Sequence, residues 1–193
     1  MIGCLFEFVK IIRKINAKQY LLYLPLAFIY IVMPLMMIID LGITVNIHTA
    51  GPPVQTITYS ALFPCAIIFT IWINDTMAYL IGSFIGKTPF SKISPKKTWE
   101  GTIGGALLCV VVITLLGYYI PAAKIIHWQH LLYIAAICAV FGTAGDLLES
   151  KLKRMADIKD SGNFMPGHGG FLDRFDSLLV ATPFVWLYIK LLL

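Results

Sequence analysis

Gly145-Asp146-Leu147-Leu148-Glu149-Ser150-Lys151-Leu152-Lys153-Arg154, followed by Lys159-Asp160 and by Pro166-Gly167-His168-Gly169-Gly170-Phe171-Leu172-Asp173-Arg174-Phe175-Asp176, is a dense run of charge, glycine and histidine. Apolar segments, 131–148 and 178–193, lie on either side of it. Ionisable residues are costly beside lipid, so a run like this is a functional candidate wherever it meets a membrane. The second apolar segment is short, so its helix is expected to begin within Asp173–Asp176. The composition extends this reading to the whole chain. Its 193 residues are 59% hydrophobic and 13% charged, with a mean hydropathy of +0.82, whereas a soluble domain is about a quarter charged. The expected fold class is therefore all-α, a polytopic transmembrane helical bundle of about five spans with cytoplasmic catalytic loops. The length suits one bundle. Cys4, Cys65, Cys109 and Cys138 form no CxxC or Cys/His spacing and read as small apolar residues.

Residues 1–19 mix Leu5, Phe6, Phe8, Ile11 and Ile12 with Lys10, Arg13, Lys14 and Lys18, the pattern of an interfacial amphipathic segment. The first span is 20–39, uncharged throughout and long enough to cross roughly 30 Å of hydrocarbon. Pro25 and Pro34 are expected to kink it. Residues 40–55 read as a polar loop, so that 20–56 makes the first span with its outer loop and 57–193 a catalytic membrane domain. The second apolar run, 57–73, is interrupted by Asn74-Asp75-Thr76 and resumes over 77–85. One long helix fits, and so does a helix whose lower half leaves the membrane. A basic loop over 86–101 precedes a third span, 102–120, whose Gly104, Gly105 and Ala106 permit close packing. His48, His127 and His130 fall in loops on the opposite side and are expected to face solvent.

Five spans place residues 1–19, 86–101 and 149–174 on one side. Thirteen of the 15 Lys and Arg residues lie there, and only Lys124 and Lys190 lie opposite. The positive-inside rule assigns the rich side to the cytoplasm, where nucleoside triphosphates are found. The expected location is a cell membrane, the bacterial cytoplasmic membrane, with several passes and the active site facing the cytoplasm.

On a helix Asp146, Glu149, Ser150 and Lys153 share one face, and Asp173 and Asp176 repeat the i, i+3 spacing. Asp75 stands where a long apolar helix meets the basic loop. Carboxylates converging at one membrane edge call for cations, and hard oxygen ligands suit Mg²⁺ better than Zn²⁺. Acids for metal beside bases for phosphate are the parts of phosphoryl or nucleotidyl transfer. Taken singly, each residue has a plainer role. Asp75 could pair with a lysine or cap a helix, Lys96 and Lys97 could anchor to anionic headgroups, and Glu100 could cap the third span. Joint occurrence on one surface favours the chemical reading.

Ser150-Lys151-Leu152-Lys153-Arg154, Lys159-Asp160, Gly162 and the run Met165 to Asp176 closely resemble the signature of CDP-diacylglycerol synthases (phosphatidate cytidylyltransferases). Met165 stands where another apolar residue is usual. Asn74-Asp75-Thr76-Met77-Ala78-Tyr79, Gly82, Gly86-Lys87 and Ser94-Pro95-Lys96-Lys97-Thr98-Trp99-Glu100-Gly101 look like further segments of that family. The resemblance covers roughly 57–190, and the chain looks like a short or N-terminally truncated member. It implies a membrane enzyme, often a homodimer in the bilayer, that joins CTP and phosphatidic acid. No nucleic acid partner is expected. The resemblance further implies Mg²⁺ at Asp146 and Asp173, with Asp176 close by and K⁺ as a second cation. Lys96, Lys97, Lys153, Arg154, Lys159 and Arg174 would supply charge to the phosphates. Ser150, His168, Gly169 and Gly170 would position ligand, and Asp75 would help position metal or substrate. The alternatives are a CTP-dependent lipid kinase, another CDP-lipid synthase, or a truncated inactive membrane protein. A transporter is disfavoured, because the polar residues gather at span ends rather than at mid-span.

Overall fold

The computed structural model describes residues 1–193 except 49–53, 92, 122, 123, 125, 163 and 165–168. Five segments are long and apolar enough to cross a membrane: Tyr20–Gly42, Leu62–Ile85, Trp99–Tyr119, Trp128–Met155 and Leu172–Leu192. They follow the five expected spans, most of them extended by several residues. A short helix, α1 (Ile2–Ile15), precedes them.

The first span is assembled from pieces. A 3₁₀ turn (Tyr20–Tyr23) leads into α2 (Leu24–Ala27), a π-helical turn (Phe28–Val32) and α3 (Met33–Gly42). Pro25 and Pro34 sit in the first turns of α2 and α3. Proline has no N–H to give the carbonyl four residues back, and the chain widens before Pro34 to accommodate this. The expected polar loop over 40–55 takes a different form. α3 continues to Gly42, and β1 (Ile43–His48) and β2 (Val54–Tyr59) pair antiparallel with Ile43 opposite Tyr59. Alternation of β-branched and polar residues (Ile43, Thr44, Val45, Asn46, Ile47) is strand patterning that a reading by polarity overlooks.

α4 (Leu62–Ile85) is one continuous helix. Asn74-Asp75-Thr76 does not break it, since Thr76 Oγ1 donates back to the Trp72 carbonyl at 2.8 Å. Hydroxyls that bond within the helix satisfy themselves without solvent. α5 (Trp99–Tyr119) is capped by Thr98, whose Oγ1 accepts the Gly101 N–H at 3.1 Å. It lies tightly on α4: a Cβ at Gly105 would come within 2.5 Å of Ala78 backbone atoms. α6 (Trp128–Met155) and α7 (Leu172–Leu192) form the other extensive helix pair. His130, expected to face solvent, instead meets the Tyr188 hydroxyl at 2.9 Å through Nδ1.

α1 packs its apolar face on the rest of the protein. It is amphipathic, and Cys4, Phe8, Ile11 and Ile12 are buried in a cluster with Ile31, Leu172 and Leu179 of the protein itself. Burial pushes the Cys4 thiol up from its ordinary value, so it stays a neutral apolar group.

Candidate functional site

The site is built where α4, the 86–98 loop, α6 and the start of α7 converge. Gly145 makes this convergence close: a Cβ there would lie 2.5 Å from the Asp176 carbonyl oxygen. Its neighbour Asp146 lines a cleft beside this crossing. Asp75 on α4 stands within electrostatic reach of Asp146, Asp176 and Lys97. Asp75, Asp146 and Lys97 border a cavity of about 470 Å³ that is also lined by Ser94, Lys96 and Thr143.

Two lysines hold the acids together. The Lys97 ammonium pairs with Asp146 Oδ2, and Ser150 Oγ donates to Asp146 Oδ1 at 3.3 Å. The Lys153 ammonium lies 2.5 Å from Asp173 Oδ1 and 3.4 Å from Glu149 Oε1. The other oxygen of Asp173 is well supplied: it accepts from Gly170 N at 2.7 Å, Ser161 N at 2.9 Å and Ser161 Oγ at 2.8 Å. Gly169 makes this turn with φ +83°, a region L side chains rarely adopt, and a Cβ there would meet Asp173 Oδ2 at 2.7 Å.

The acids outnumber their close partners. Glu149 is fully buried against Asp176, with the Lys153 ammonium at 3.4 Å as its ion-pair partner and no well-aligned donor to either carboxylate oxygen. Asp176 Oδ1 accepts only its neighbouring Ser177 N–H among the described hydrogen bonds, at 2.6 Å. Asn74 Oδ1 is likewise buried with no donor. Buried polar atoms in native proteins are nearly always paired, so such orphans ask for an explanation. A hard divalent cation fits this donor set of carboxylate and amide oxygens. Among the described residues no three His, Cys, Asp or Glu side chains are grouped closely enough to hold a metal alone. Mg²⁺ does not require that, because it commonly takes one or two carboxylates and completes its shell with water and substrate phosphates.

The sequence-predicted residues therefore divide into groups. Asp75, Lys96, Lys97, Asp146 and Ser150 gather around the cleft, and Lys153, Asp173, Asp176, Gly169 and Gly170 form the adjoining turn. Arg174 reaches a second, mostly apolar cavity of about 540 Å³ between α4 and α7, walled by Ile71, Trp72, Phe171, Phe175 and Leu178. Arg154 is turned to closing α6, donating to the Ile158 carbonyl at 3.4 Å. Lys159 is exposed on the following loop. His168 lies outside the described residues. Glu100, read as a cap, holds the start of the basic loop: it accepts from Thr88 Oγ1 at 2.8 Å and from the Lys87 and Thr88 amides.

Sequence reasoning missed three contributors. Glu149 was placed on the acidic face but given no role, although a charge flanked by Leu147, Leu148 and Leu152 already hinted at burial. Ser161 passes for loop filling between Asp160 and Gly162. Glu7 falls on the same helical face as Phe8 and Ile11, a charge on an apolar stripe, and that was its one available signal.

Residues 2–192 match the sequence model of the Cytidylyltransferase family. Over 122 residues the chain is 46% identical to a phosphatidate cytidylyltransferase of Bacillus subtilis (strain 168), which covers 63% of this chain and 45% of that protein. A chloroplastic phosphatidate cytidylyltransferase of Arabidopsis thaliana is 43% identical over 121 residues, 61% of this chain and 29% of its own. A phosphatidate cytidylyltransferase of Staphylococcus aureus (strain COL) is 46% identical over 114 residues, 58% of this chain and 43% of its own. The matched stretch spans less than half the length of each of these relatives.

Proposed function

This chain belongs to the cytidylyltransferase family, and we propose that it transfers the CMP group of CTP to phosphatidic acid, giving CDP-diacylglycerol and pyrophosphate. One observation carries this reading: an acid- and lysine-lined cleft and an apolar cavity ending at Arg174 border neighbouring turns of α4. The first suits a triphosphate. The second suits an acyl chain whose phosphate must reach the first.

In this reading a phosphate oxygen of the lipid forms a bond to the α-phosphorus of CTP. The bond from that phosphorus to the oxygen bridging to the β-phosphate breaks, and the electron pair leaves with pyrophosphate. The lipid phosphate is already an anion at neutral pH, so no side-chain nucleophile is needed. The work of the protein is positioning and charge neutralisation. Lys96 and Lys97 meet the triphosphate, and Lys97 exchanges its Asp146 contact for phosphate as nucleotide enters. Lys153 holds Asp173 in place and offsets the charge of Glu149. Arg174 takes the lipid phosphate as a bidentate partner. Asp146 and Asp173 would hold Mg²⁺, with Asp75 and Asp176 beside them, and the cation would neutralise and orient the phosphates. K⁺ is a second cation the same oxygens could take.

The setting proposed with it is a bacterial cell membrane with the polar end toward the cytoplasm, an orientation that the asymmetry of basic residues supports. The test supplies the purified protein in lipid micelles with phosphatidic acid, Mg²⁺ and CTP labelled at either the α- or the γ-phosphate. Label from the α-position alone should enter the lipid, with one pyrophosphate released per lipid. Transfer of the γ-label would replace the proposal with a lipid kinase, and no transfer by folded protein would refute it.

A further inference from the structure

α1 lies far from the cleft in sequence, yet one of its side chains reaches the turn that carries Asp173. Glu7 is buried and accepts three hydrogen bonds: from Phe171 N at 3.0 Å, Leu172 N at 2.8 Å and Ser161 Oγ at 2.7 Å. The first two are backbone donors at the start of α7, which have no partner within their own helix. The Gly170 amide, next in line, goes to Asp173. Three consecutive amides are thus shared between two carboxylates, one of them brought from the other end of the chain. Ser161 joins the pair, because its hydroxyl lies 2.7 Å from Glu7 Oε2 and 2.8 Å from Asp173 Oδ2. A hydroxyl has one proton and can donate to only one of them at a time. The cradle is also shaped for Glu7: a Cβ at Gly162 or Gly170 would fall 2.3 or 2.4 Å from its carboxylate oxygens.

We infer that Glu7 is a positioning residue for the proposed transfer: it caps α7, ties Ser161 to the Gly170–Leu172 backbone, and through Ser161 sets the Asp173 carboxylate. This inference rests on the cytidylyltransferase reading for its catalytic half and on geometry for its capping half.

The experiment compares wild type with Glu7→Gln, an isostere that can accept at only one of the two oxygen positions. Ser161→Ala, which leaves both amide caps, and Phe6→Ala, on the exposed face of α1, complete the set. Two readouts are taken on folded protein: amide hydrogen exchange at Phe171 and Leu172, and kcat and KM for CTP. In Glu7→Gln exchange should quicken about tenfold, and kcat should fall about tenfold with KM changed less than about twofold. Ser161→Ala should lower kcat about threefold with the amides still protected. Phe6→Ala should change neither readout. Unchanged exchange in Glu7→Gln, or faster exchange with unchanged kcat, would overturn the inference. Wild type that makes no CDP-lipid would refute the transferase reading and with it the catalytic half. The capping half would then stand or fall on exchange alone.

Discussion

An aspartate–lysine contact joins helices near each end of α7, and the two contacts differ in their surroundings. Near the C-terminal end Asp40 of α3 accepts from Lys190 at 2.9 Å and from Trp186 Nε1 at 2.7 Å, with both charged side chains nearly half exposed. One acid meets one base and one neutral donor, and the charges balance. At the N-terminal end Asp75, Asp146, Glu149, Asp173 and Asp176 lie within electrostatic reach of one another in an unbroken series, with Lys97 and Lys153 in ion-pair contact. Glu149 is buried with no well-aligned donor. A contact that only ties helices together has no need of surplus acid. Such a surplus is costly to bury and is kept where a cation or a reacting phosphate offsets it.

Five substitutions would break or sharpen that contrast. Asp146→Asn and Asp173→Asn should lower kcat/KM by roughly a thousandfold or more, the scale of losing a group that neutralises transition-state charge. Transfer of the α-label to lipid measures this, and each variant should still insert and fold. Lys97→Ala should raise KM for CTP roughly tenfold, the worth of one charge-assisted contact to phosphate, with a smaller change in kcat. Glu149→Gln should separate stability from turnover. Removing a buried carboxylate crowded by Asp173 and Asp176 should raise stability by about 1–2 kcal/mol, seen as a melting shift of a few degrees, while activity falls because Lys153 loses one of its two counter-charges. Asp40→Asn should be mildest: at most about 1 kcal/mol in stability, as for partly exposed ion pairs, with activity within about twofold of wild type. A large loss of activity in Asp40→Asn would erase the distinction between the ends.

The five spans were legible because hydropathy over some twenty residues is set by the bilayer, not by the rest of the fold. The acidic face of α6 was legible too, since i, i+3, i+4 geometry is local: Ser150 does reach Asp146, and Lys153 does reach Glu149. What could not be read is whatever depends on distant partners. Lys97 finds Asp146 across 49 positions, and Glu7 finds Leu172 across 165. No periodicity carries that information. The Asn74-Asp75-Thr76 interruption left the continuity of the helix open for a local reason. Its hydroxyl is satisfied within the helix, and its acid looks into a polar cleft, so a break in hydropathy was not a break in structure. The hairpin was hidden because polar composition says nothing about pairing.

The central claim is that the surplus acids at the start of α7 hold a divalent cation and the balanced pair at its end does not. Mn²⁺ binding to the purified protein, followed by its electron paramagnetic resonance signal, tests this directly. Wild type and Asp40→Asn should bind the ion alike, and Asp146→Asn and Asp173→Asn should each lose it. Equal Mn²⁺ binding by all four proteins would contradict the account.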